Sequence, residues 1–106
     1  GLGDVYKRQV LGMENFMNKV IITVVGKDTV GIIARVCTYL AENKINILDI
    51  SQTIVSGYFN MMMITDMENA TVKFTKVVED LDTLGDEIGV KIKAQKEEIF
   101  ESMHRL

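Results

Sequence analysis

Asp28 and Gly31 stand three residues apart where an apolar run gives way to an apolar-striped helix, and Asn46 follows that helix. The chemistry open to such a group is recognition of small charged molecules. A helix start presents unpaired N–H groups that attract a carboxylate, aided by the helix dipole. An aspartate accepts from an ammonium group, and an asparagine amide both donates and accepts. Gly31 is the odd residue, because glycine in a first helical turn weakens the helix by roughly 1 kcal/mol relative to alanine. Its missing Cβ clears an approach for a ligand, or it lets the helix pack closely on a sheet. Asp28 is also placed as N-cap, with Thr29 as a second candidate, and Asn46 is also a turn residue. Both sets of readings stay open on these residues alone.

Other chemistry finds little support. No nucleophile–base pair is visible: Ser51 and Thr53 lie in a strand with no histidine in the same motif. Cys37 falls on the apolar stripe of the first helix and reads as a small core residue. With one cysteine and one histidine, His104, the sequence argues against a metal site. Glu97, Glu98 and Glu101 read as the solvated face of a tail helix. Met61–Met63 read as sheet packing more than as a pliable binding surface. The loop before the first helix offers Lys27 and no arginine to hold a phosphate, and it has no Cys-x-x-Cys.

The elements that would position these residues follow from periodicity. Lys19–Val25 is β-branched on both faces and predicts a buried strand. Ile33, Val36, Cys37 and Leu40 form the stripe of helix one, with Arg35, Thr38 and Glu42 facing away. Asn46–Val55 and Tyr58–Asp66 predict two strands joined by the two-residue turn Ser56–Gly57. That turn sets Val55 opposite Tyr58, Ile54 opposite Phe59, Gln52 opposite Met61 and Ile50 opposite Met63. Leu48, Ile50, Ile54, Phe59, Met61 and Met63 then share the helix-facing side with Gln52, whose amide is expected to need a partner there. Asp49, Ser51, Thr53, Asn60, Met62 and Ile64 take the other side. Asn69-Ala70-Thr71 opens helix two, striped by Phe74, Val77, Val78, Leu81, Leu84 and Ile88 and closed by Gly89. Val90, Ile92 and Ala94 alternate with lysines and glutamine in a fourth strand.

The order β-α-β-β-α-β predicts an α+β, ferredoxin-like sandwich: a four-stranded antiparallel sheet with two helices on one face, plus a C-terminal helix. Its usual strand order, 4-1-3-2, leaves strand two at an edge. The expected organisation is a flexible or non-native lead over 1–16, one domain over 17–96 and an amphipathic helix over 97–106.

Bulk composition agrees with one ordinary globular domain: 106 residues, 47% hydrophobic, 25% charged and a net charge of −3. An acidic chain argues against nucleic acid and against an anionic membrane surface as partners. The apolar runs are too short to span a bilayer. A single cysteine fits the reducing cytoplasm, which is the expected location.

The stretch GKDTVGIIARVCTYLAENKINILDISQT, residues 26–53, resembles the ACT domain, a small-molecule-sensing module. The likeness rests on Asp28, Gly31, Ile32 and Ile33 at the first strand–helix junction, then Ile45, Asn46 and Ile47 at the entry to strand two. It spans about residues 17–106. The segments DISQT and IFESMHRL look most like small stand-alone members related to the glycine-cleavage repressor and the regulatory part of formyltetrahydrofolate deformylase. Two positions depart from the family pattern: Val30 stands where proline is frequent, and Lys44-Ile45 stand where glycine often precedes Asn46.

The resemblance implies a non-catalytic regulatory module that binds an amino acid or similar metabolite, with no cofactor. The implied ligand-binding residues are Asp28, Thr29, Val30, Gly31, Ile32, Asn46 and Ile47. Strand two, Asn46 to Val55, is long and has no proline and no lysine, so its open edge predicts a homodimer, or a higher oligomer, through strand two and helix one, with Leu48, Asp49, Ile50, Ser51 and Thr53 at the seam. The alternatives are a ligand-free association domain and, less well supported, a small enzyme or an RNA-binding module on the same fold.

Overall fold

The computed structural model describes residues 18–97. The lead over 1–16 and all of the tail helix beyond Glu97 lie outside the described residues. The elements are β1 (Lys19–Lys27), α1 (Ile32–Glu42), β2 (Asn46–Val55), β3 (Tyr58–Asp66), α2 (Phe74–Ile88) and β4 (Val90–Lys96). All strand pairs are antiparallel, in the order β2-β3-β1-β4. This is the expected ferredoxin-like sandwich, with β2 and β4 as its edges. Among the described residues, no helix is long and apolar enough to cross a membrane.

The central strand supplies the core. Val20, Ile22 and Val24 of β1 meet Phe59, Met61 and Met63 of β3 and Val90 and Ile92 of β4 on one face. Both helices press onto that face through Ile32, Val36, Leu40, Val77, Leu81 and Leu84. The hairpin register matches the expectation from the two-residue turn. Ser56 (φ 52°) and Gly57 (φ 81°) are both left-handed, as a tight turn matched to strand twist requires.

Helix α1 begins later than expected. Its first residue is Ile32, and Gly31 caps it in a left-handed conformation (φ 92°) with no side-chain cap. Neither Asp28 nor Thr29 serves as the cap. The stripe also shifts by one residue: Ile32 is buried, while Ile33 is 37% exposed. Helix α2 starts at Phe74, not near Asn69, because the preceding residues make other bonds. The Glu68 N–H donates to the Asp66 carboxylate, the Ala70 N–H to the Met67 carbonyl and the Thr71 N–H to the Asn43 carbonyl. Val78, expected in the core, is 37% exposed.

Two further links join the helices. The Tyr39 hydroxyl donates to Asp80 Oδ2 at 2.7 Å, and Arg35 pairs with Glu87 at 2.7 Å. Burial and then the Asp80 hydrogen bond push the Tyr39 pKa up; the same bond and the Lys76 ammonium hold Asp80 below the usual aspartate value.

The end of α1 explains one departure from the family pattern. The Ile45 N–H bonds to the Leu40 carbonyl and the Lys44 N–H to the Ala41 carbonyl, which is a Schellman closure around Asn43. Its apolar contact pairs buried Ile45 with buried Leu40. The closure needs one left-handed residue, and Lys44 takes that place at φ 58°. A lysine there carries a cost of about 1 kcal/mol that glycine avoids. Lys44→Gly is therefore expected to stabilise the chain by roughly 0.5 kcal/mol, the gain being cut by glycine's freedom when unfolded. Urea unfolding with an unchanged slope would measure it.

Candidate functional site

The loop after β1 is exposed and firmly placed. The Asp28 N–H donates to the Gly57 carbonyl at 2.8 Å, so the loop leans on the β2–β3 hairpin. Thr29, Val30 and Gly31 face solvent, with Val30 fully exposed, while Ile32 turns into the core. The helix start has no side-chain cap and no acidic residue in its first turn. Among the described residues, no carboxylate caps its leading N–H groups. A Cβ on Gly31 would meet no atom within 4 Å. Close packing is thus not the reason for the glycine; its backbone conformation is.

Asn46 and Ile47 lie at the other end of the molecule. Asn46 pairs with Asp66, and the strand then runs its full ten residues to the hairpin that holds Asp28. At strand rise that separates the two groups by roughly 30 Å. One protomer therefore does not bring Asp28 and Gly31 together with Asn46.

Strand β2 departs from simple alternation. Ile47 pairs with Thr65 but Asp49 pairs with Ile64, leaving Leu48 as the extra residue of a β-bulge. The bulge moves Ile47 onto the helix side, where it packs against the core, and leaves Leu48 47% exposed. The opposite residue, Thr65, is fully buried and donates its hydroxyl to the Val20 carbonyl at 2.8 Å. No sequence signal marked that threonine.

Beyond the bulge, β2 keeps the expected side without the expected burial. Gln52 is paired with Met61 as predicted, yet it is exposed. Ile50 and Ile54 are 43% and 55% exposed, whereas their partners Met63 and Phe59 are buried. The helix layer stops short of this edge. Alongside it, α1 turns a second apolar line outward. Ile33, Cys37 and Ala41 repeat every four residues, and Cys37 and Ala41 line an open groove with Lys44–Ile47 and Asn69. The arc on α1 is wider than the core needs, which is why the sequence stripe merged two faces. Among the described residues no group of three or more His, Cys, Asp or Glu gathers as a metal site.

This fold and this edge belong to a known class of domain. The family model described as "ACT domain" matches residues 18–95, and the chain belongs to that family. It is 66% identical over 90 residues to a UPF0237 protein of Bifidobacterium longum, covering 85% of this chain and all of that one. A UPF0237 protein of Clostridium acetobutylicum is 59% identical over 88 residues, 83% of this chain and 99% of the relative. Among solved structures it resembles an ACT domain protein from Streptococcus pneumoniae, with TM-score 0.69 and 43% identity over 78% of this chain and 93% of that one. The fold also matches a formyltetrahydrofolate deformylase from Pseudomonas syringae (TM-score 0.70, 18% identity, 90% of this chain, 32% of that one).

Proposed function

We propose that the chain is a regulatory module that works as a side-by-side homodimer and binds an amino acid or similar small metabolite at the seam. ACT domains are regulatory ligand-binding modules that commonly dimerise. The observation that carries the reading is the separation of the two half-sites, joined to the bare apolar face between them. A two-fold axis through the middle of β2 runs the paired strands antiparallel. It sets the Asn46–Ile47 end of one protomer beside the hairpin and the Asp28–Ile32 loop of the other. Two equivalent sites result. In each, the N–H groups after Thr29 take the carboxylate, and Asp28 and Asn46 meet the ammonium group.

The edges favour this contact. β2 has neither proline nor lysine, while β4 exposes Lys91 and Lys93 along its length. An unguarded edge pairs; a lysine-lined one resists pairing. Pairing would cover Leu48, Ile50 and Ile54 and bring Asp49, Ser51 and Thr53 into the extended sheet.

A ligand-free association domain is the second reading, and the conformation of Gly31 favours it, since φ alone accounts for that glycine. Thermal-shift measurement against the twenty amino acids and common one-carbon metabolites separates the two. A selective rise in Tm supports the ligand site. Gly31→Asn, which tolerates the left-handed conformation, is expected to fold and to lose that rise. A rise that persists in this variant removes the loop from the site. No rise with any compound leaves the association reading.

A further inference from the structure

The groove at the C-terminal end of α1 holds polar groups that the fold does not use. Lys44, Asn46 and Asn69 line it together with Cys37, Ala41 and Ile47. The three polar residues are exposed, and among the described residues no ion pair or side-chain hydrogen bond engages them. No carboxylate lines the groove. Glu42 and Glu68 flank it in the chain, and Asp66, across the strand pair from Asn46, already accepts from the Glu68 N–H. The helix end supplies no free acceptor either. The Tyr39 carbonyl takes the Asn43 N–H and Nδ2, the Leu40 carbonyl takes the Ile45 N–H, and the Ala41 carbonyl takes the Lys44 N–H. One cation and two amides therefore stand beside an apolar wall with no anion of the chain to answer them.

The position of the lysine adds to this. The helix dipole favours a cation near the end of α1. Yet α1 carries no basic residue in its last turn, where one would be free of backbone cost. It has Lys44 instead at the left-handed position of the closure, φ 58°, which glycine occupies more cheaply. Backbone strain of this kind collects at functional sites.

We propose that the groove takes the side chain of a dicarboxylic amino acid. The Lys44 ammonium and the Asn69 amide meet its second carboxylate, and its methylene groups lie against Cys37, Ala41 and Ile47. The inference rests on the seam site proposed above, where Asn46 meets the ligand's ammonium group. Lys44 stands two residues before Asn46, at most about 7 Å away along the chain, so a ligand held by Asn46 has its side chain within reach of the lysine.

Calorimetric titration of the full chain with glutamate, glutamine, aspartate and asparagine tests it, each acid being compared with its own amide. At least one acid is expected to bind about 10- to 100-fold more tightly than its amide, the worth of one hydrogen bond to a charged group. Lys44→Gly is the decisive variant, because its fold is expected to be the more stable of the two. It should erase the preference for the acid while the mass seen by light scattering stays the same. A preference that survives in Lys44→Gly overturns the inference. So does tighter binding of a neutral or basic amino acid to the unmodified chain, and in that case the seam site itself stands. If no amino acid binds at all, the ligand reading fails and this inference falls with it.

Discussion

Ile50→Glu is expected to yield a monomer at tens of micromolar, where the unmodified chain is expected to be the proposed dimer. Ile50 faces the helix side of β2 but no helix reaches it, and it is 43% exposed. In the isolated protomer the new carboxylate stays in water, so stability changes little, by roughly 0.5 kcal/mol. In the proposed dimer two carboxylates enter one apolar seam near the symmetry axis. Burying unpaired like charges costs several kcal/mol. At about 1.4 kcal/mol per decade, the dimer dissociation constant should rise at least 100-fold. Sedimentation or light scattering reads this directly. Lys93→Glu, on the opposite edge, is the control and should remain dimeric. Any ligand-induced rise in Tm should vanish with the dimer. A monomeric unmodified chain would leave each ligand site in two halves that never meet.

Among the described glycines, Gly85→Ala is expected to be the most damaging added methyl. Gly85 sits inside α2, where alanine ordinarily improves a helix by about 1 kcal/mol. Here the added Cβ would lie 2.6 Å from the Val90 carbonyl oxygen and 3.3 Å from Ile92 Cγ1. The first obstacle is backbone of β4, held in the sheet by its pairing with β1, so it cannot swing aside. Either α2 lifts from the sheet or β4 bends. Overpacking of this kind costs about 1–3 kcal/mol, and the lost contacts of Leu81 and Leu84 place this case at the upper end. Tm should fall by roughly 10–20 °C. Alanine at neighbouring exposed Asp86 is the control for helix propensity. An unchanged or higher Tm in Gly85→Ala would show that α2 has slack the packing does not suggest.

Periodicity and turn chemistry made most of this fold legible. Ser56–Gly57 set the register of β2 on β3, and that register placed Phe59, Met61 and Met63 on the helix side and Asn60, Met62 and Ile64 on the other. The alternation of Val90, Ile92 and Ala94 with lysines placed β4. Three things were hidden. The bulge at Leu48 adds one residue to a strand that otherwise alternates, so its sequence gives no sign of it. The two apolar lines of α1 overlap in a helical projection, and only the layer above the sheet tells Ile32 from Ile33. Gln52 was assigned to its correct side but not to water, because alternation reports a face and says nothing about how far the helices extend over it. The candidate site was legible as residues and not as a place: Asp28, Gly31 and Asn46 read as one group along the chain, and the crossover of α1 sends them to opposite ends.

The unequal edges of the sheet also bear on how far assembly can proceed. A contact between two copies of the same strand uses up that strand in both partners. What remains outward on either flank is β4, with Lys91 and Lys93 exposed on each copy. Growth by strand addition therefore terminates after one step, since a third chain would have to dock its open strand against a row of ammonium groups. A head-to-tail use of the same two edges would have no such stopping point and would lead to filaments. Lysine placement on β4 would thus act as a chain terminator for the sheet of the proposed dimer. In the proposed dimer, the same residues that line β4 would keep a protein with one open edge from polymerising.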